Sequence, residues 1–156
     1  MNIDQAENVD RHRKWTSAAG LECVIHDCVF SSRRYHLCGY VSVPEGHPLF
    51  GLSYSDDAPQ TLDATIEKVK NSPIGKRGII DVFCAAGRER LSVGVLFDVH
   101  GGITYSDKYP PGEPTAIGWW LGFDCGHCDD DPSIQDEAYV RAECESLAQQ
   151  IAALQG

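Results

Sequence analysis

The chain has 156 residues, 42% of them hydrophobic and 9% aromatic, a composition that fits one folded domain and excludes both a disordered chain and a pair of ordinary domains. No run of about 18 apolar residues occurs, which excludes a membrane-spanning helix from the expectations, and the opening MNIDQAENVDRHRKW lacks the apolar segment of an export signal, so a cytoplasmic location is expected. The formal charge of −10 is concentrated in residues 108–156, where nine acids face two bases, and this argues against nucleic acid as a partner.

Residues 1–14 are polar and read as a loose lead, leaving 15–156 as a single domain. LECVIHDCVF (21–30) and HLCGYVSV (36–43) read as paired strands across the turn-like SSRR. Pro44-Glu-Gly-His-Pro48 then breaks the second strand into a rigid loop. In TLDATIEKVKNSP (61–73), Leu62, Ile66 and Val69 recur at helical spacing, with Thr61 as the expected N-cap and Asn71-Ser-Pro73 as the stop. GIIDVFCAAG (78–87), ERLSVGVLFDVHGGITYS (89–106) and TAIGWWLGFDC (115–125) read as further strands.

The last element is the plainest. Val140, Cys144, Leu147, Ile151 and Leu154 recur at steps of four and three residues, while Arg141, Glu143, Glu145, Gln149 and Gln150 occupy the other side. Asp131 before Pro132, or Ser133 with Asp136, supplies the cap. The order of elements predicts an α+β domain: an antiparallel-rich sheet with a short middle helix and a long C-terminal amphipathic helix.

Cys125-Gly-His-Cys128 has the form of a thiol–disulfide exchange motif. Asp129, Asp130 and Asp131 follow it and oppose thiolate formation, and a single helix after the motif is too little chain for a thioredoxin-like domain, so a disulfide oxidoreductase is disfavoured. The odd count of seven cysteines, without an export signal, favours reduced thiols. A four-thiolate zinc site lacks its second half.

Three strand-end turns carry chemistry instead: VPEGHPLFG, DVHGGITYS and GFDCGHCDD. His47, His100, Asp124 and His127 are the expected ligands of Zn²⁺ or Mn²⁺, with an open position for water. Glu45 is placed as general base, Asp98 as a residue orienting an imidazole, and Cys125 as the nucleophile of a metal-free variant. The competing reading makes His47 and His100 turn residues whose rings bond backbone groups, with Asp124 capping a loop.

The blocks CGYVSVPEGHPLFG, VHGGITYS and WWLGFDCGHCDD, followed by DEAYVRAECESLAQQIA, resemble a family of small uncharacterised proteins encoded by phages, prophages and plasmids. The resemblance covers residues 36–54 and 99–152; it implies a mobile-element setting in a bacterial host and carries no catalytic residue across. Two functions are expected on these grounds. One is a metal-dependent hydrolase of a phosphoester or nucleotide, with a small molecule as partner. The other is a non-enzymatic protein that binds and blocks a host or defence factor.

Overall fold

The computed structural model describes residues 13–31, 34–71, 75–76, 91–127 and 130–154. Among the described residues, strands β1 (Lys14–Thr16), β2 (Glu22–Ser31), β3 (Arg34–Ser42), β4 (Tyr105–Asp107) and β5 (Trp120–Asp124) form one antiparallel sheet in the order β1-β2-β3-β5-β4. Helices α1 (Asp63–Lys70) and α2 (Glu137–Ala153) complete an α+β domain.

Strand alternation sorts the sheet into two faces. Cys23, Ile25, Leu37, Val41, Leu121 and Phe123 point to one of them, where they meet Val140, Cys144, Leu147, Ala148 and Ile151 of α2 in the main core. The opposite face is smaller, built from Val24, Cys38, Tyr40 and Trp120 with Tyr105 and Ala116 against them. Gly39 lets helix and sheet close: a Cβ there would sit 2.5 Å from the Phe123 ring and 2.6 Å from Cys144 Sγ. The paired indoles of Trp119 and Trp120 divide as alternation requires, Trp119 packing against the main core and Trp120 lying in the second cluster.

Helix α2 starts where Asp136 accepts the Tyr139 N–H at 2.9 Å. Asp131 caps its own turn, accepting from Ser133 N and Oγ, and these bonds lower its pKa. The helix is enclosed on more than its apolar stripe. Glu145 accepts from Trp15 Nε1 and Ala18 N, Arg141 lies 4.1 Å from the Trp15 ring centroid, and Glu143, read from the sequence as outward, is only 4% exposed. Each buried carboxylate has partners, as burial of a charge demands. No helix among the described residues is long and apolar enough to cross a membrane.

Several boundaries depart from the sequence reading. Lys14 belongs to β1 and not to the lead, while residues 1–12 lie outside the described residues. Helix α1 has no side-chain N-cap; a 3₁₀ turn at Gln60–Leu62 leads into it, and the helix ends at Lys70 with Asn71 as C-cap. Among the described residues of that stretch, 91–106, strand is confined to the start of β4 at Tyr105, and Val93–Leu96 is a 3₁₀ turn. The reason is burial on every side: Val93, Gly94, Val95 and Leu96 are all buried, with Val93 and Gly94 N–H donating to Asp56 O and Tyr54 O and Val95 N–H closing the turn on Ser92 O. The strand expected over 115–125 is confined to Trp120–Asp124, because the turns around Pro114 and Gly118 fold back on Lys108 O and Glu113 O. The expected strand 78–87 lies outside the described residues.

Cys23, Cys125 and Cys144 are free thiols, whereas Cys38 is disulfide-bonded, which corrects the expectation of reduced thiols throughout.

Candidate metal site

The first half of the site is the turn that carries His100. Phe97 and Val99 are fully buried and anchor it. Between them, Asp98 N–H donates to Gln150 Oε1 at 2.8 Å and Asp98 O accepts from Gln150 Nε2 at 2.9 Å, so a side chain of α2 holds the turn as a neighbouring strand would. Gly101 and Gly102, with φ of 68° and 78°, then reverse the chain, and Gly102 N–H closes on Val99 O. This leaves His100 at the apex. Its backbone N–H donates to Glu143 Oε1 at 3.1 Å, its ring Nδ1 lies 2.8 Å from the Tyr139 hydroxyl, and its Nε2 lies 2.7 Å from Asp130 Oδ1.

The second half follows β5. Asp124 accepts from Thr104 Oγ1 and from Gly126 N–H, which fixes the end of the strand. Residues 127 and 130 then bond reciprocally: Asp130 N–H donates to His127 O, and His127 N–H donates to Asp130 Oδ2. That closed turn swings the Asp130 carboxylate back against His100. The His127 ring lies over Gly101, where any Cβ would collide with Nε2, and its centroid is 5.8 Å from that of His100. His100, His127 and Asp130 thereby bring one donor atom each to within 4.8 Å of one another.

The residues expected from sequence are distributed as follows. His100 and His127 come together, and Asp124 borders them, its Oδ1 3.7 Å from His127 Nε2. His47 is elsewhere: Nε2 bonds Ile151 O at 2.8 Å and Nδ1 accepts from Leu49 N–H at 3.1 Å, so both nitrogens are taken by backbone. Its helix partner Ile151 is twelve residues from Tyr139, the partner of His100, or about 18 Å along the helix axis. A three-histidine centre is therefore ruled out, and Glu45, exposed on the His47 loop, goes with it. Among the described residues Asp98 bonds no imidazole; its Oδ1 accepts Lys76 N–H at 2.7 Å. Cys125 is 3% exposed, and burial, followed by the charges of Asp130, Asp124 and Glu143, pushes its thiol up to about 12, which removes it as a nucleophile near neutral pH. The same observation weighs against disulfide exchange; Cys128 lies outside the described residues.

Asp130, Tyr139, Glu143 and Lys76 complete the surroundings. Lys76 Nζ lies 2.7 Å from Glu143 Oε2, and its carbonyl accepts Gly101 N–H. Tyr139 stays a neutral phenol, since burial raises its pKa and the nearby Glu143, Cys125 and Asp130 act in the same direction. Among the described residues, Asp98, Asp124, Asp130 and Glu143 surround the site with Lys76 as the cation, a balance that favours binding of a positive ion. Two imidazoles and a carboxylate are a donor set suited to Zn²⁺ or Mn²⁺. No family model, curated protein or solved structure matches the chain.

Proposed function

We propose that the strand-end loops of this protein bind one divalent transition-metal ion, Zn²⁺ or Mn²⁺, through His100, His127 and Asp130, and use it for hydrolysis of a small substrate. The observation that carries this reading is the convergence of three donor atoms within 4.8 Å. Three protein ligands leave a position for water, and a bound ion lowers the pKa of that water towards neutrality. Asp124, with Oδ1 3.7 Å from His127 Nε2, is the neighbouring carboxylate that would serve as general base. The acids around the site weigh against a highly charged phosphoester and in favour of a neutral or singly charged substrate. The mobile-element setting implied by the sequence blocks is compatible with this reading and adds nothing to its chemistry.

The alternative, a protein that blocks a host factor, is supported only by exposed apolar side chains such as Ile117 and Ile134, 78% and 63% exposed.

Elemental analysis of protein purified without chelator tests the proposal. Close to one equivalent of zinc or manganese is expected, with a rise in melting temperature on adding the ion to stripped protein. Absence of metal together with no thermal shift overturns it.

A further inference from the structure

We infer that Tyr139 is the positioning residue of this centre, fixing His100 so that Nε2, and not Nδ1, is the ligand atom; this rests on the metal reading above. The two ring nitrogens of His100 are used differently. Nδ1 faces the Tyr139 hydroxyl at 2.8 Å, and Nε2 faces Asp130, a second member of the donor cluster, at 2.7 Å. A phenol hydroxyl can donate or accept. It can donate to Nδ1 while Nε2 carries the proton towards Asp130, and it can accept from an Nδ1–H once Nε2 offers its lone pair to an ion. Metal-ligating histidines commonly give their other N–H to a fixed acceptor that sets ring orientation and tautomer.

The helix makes this acceptor rigid. Tyr139 N–H is the capping bond of α2, held by Asp136, so the residue sits in a fixed first turn. Its ring meets the imidazole edge-on, with centroids 5.4 Å apart and planes at 90°. Glu143, one turn further along the same face, takes the His100 backbone N–H. One edge of α2 thus holds both the ring and the backbone of His100. The carboxylate that most often serves as such an acceptor is here replaced by a phenol, which adds no charge to a site already rich in acids.

The test compares Co²⁺ titrations, followed by visible absorption, of the wild type, Tyr139→Phe and His100→Ala, with thermal melts of each. Tyr139→Phe keeps the ring and its packing, so its melt is expected to stay close to that of the wild type while Co²⁺ affinity falls about 10- to 100-fold. The zinc-loaded wild type gives a second measurement that needs no variant. In ¹⁵N-resolved NMR of the histidines, His100 is expected to show a protonated, slowly exchanging Nδ1 and a metal-shifted Nε2. If Tyr139→Phe binds Co²⁺ as tightly as the wild type, or if the metal-shifted nitrogen is Nδ1, the role of Tyr139 is overturned and the metal site stands. If the wild type binds no better than His100→Ala, the metal reading itself falls, and this inference with it.

Discussion

The two ends of helix α2 each hold a histidine, and the difference between them separates a structural imidazole from a candidate functional one. At the C-terminal end, both nitrogens of His47 are bonded to backbone, to the Ile151 carbonyl and the Leu49 N–H. That ring ties a proline-bounded loop to the helix terminus and has no nitrogen left for a ligand. At the N-terminal end, both nitrogens of His100 face side chains, Tyr139 and Asp130, and a second imidazole stands 5.8 Å away. Side-chain partners can exchange a proton or give way to an ion without unfolding anything, whereas backbone partners cannot. A histidine whose neighbours are themselves chemical groups is the better candidate for chemistry.

The largest effect that would break this contrast is on metal affinity. Asp130→Asn or His100→Ala is expected to weaken Co²⁺ binding by more than about 100-fold, beyond what partners outside the ligand set usually contribute, while His47→Ala leaves it unchanged in the same titration. Equal losses at the two ends would erase the distinction. Stability should show the reverse emphasis: His47→Ala leaves a helix-end carbonyl and a loop N–H without their ring partner, and urea unfolding is expected to register a loss of about 1–3 kcal/mol.

A third test uses the buried thiols. Cys23 and Cys125 are both raised from an ordinary value of 9.0 to about 12, mainly by burial. The folded state holds their protons more tightly than the unfolded state, so this contribution is fully present below about pH 9 and is lost as pH rises towards 12. Urea midpoints measured from pH 7 to 11 should be flat with respect to these thiols up to pH 9 and then fall. Replacing Cys125 by Ala should reduce the alkaline slope, and intact protein at neutral pH should resist thiol reagents at this position. The smallest effect belongs to the middle of the helix, away from both ends. Arg141→Ala removes the stacking on Trp15, and a thermal melt should record a loss of about 0.5–1 kcal/mol.

Much of the architecture was legible because it rests on periodicity. The β-branched and small apolar residues of 21–30 and 36–43, the helical spacing from Val140 to Ile151 and the breakers around Pro44 and Pro48 each encode a local geometry that the fold keeps. The stretch from Val93 to Phe97 misled for a physical reason: a segment buried on all sides has apolar residues at both parities, and its pattern does not report a sheet face. The site was half legible. His100 and His127 stand out beside glycines at strand ends, but which carboxylate of Asp129-Asp130-Asp131 turns inwards depends on the reciprocal bond between residues 127 and 130. The three-residue interval from His127 to Asp130 was the available hint. Glu143 was hidden by the assumption that a polar residue off the apolar stripe of a helix faces water, and Tyr139 lies outside the stripe that the spacing marks. Lys76 was hidden because its role depends on contacts with residues 22 and 67 positions away.

The close seating of the His127 ring on Gly101 has a consequence for how such a centre can be gained or lost. Any side chain at position 101 would occupy the space of the imidazole and would also strain a backbone held at φ of 68°. A single-base change there would displace the His127 ring while every proposed ligand remained in the gene. For the proposed centre, position 101 is therefore as informative as the histidines, since a hydrogen atom at that carbon is what leaves room for the His127 ring.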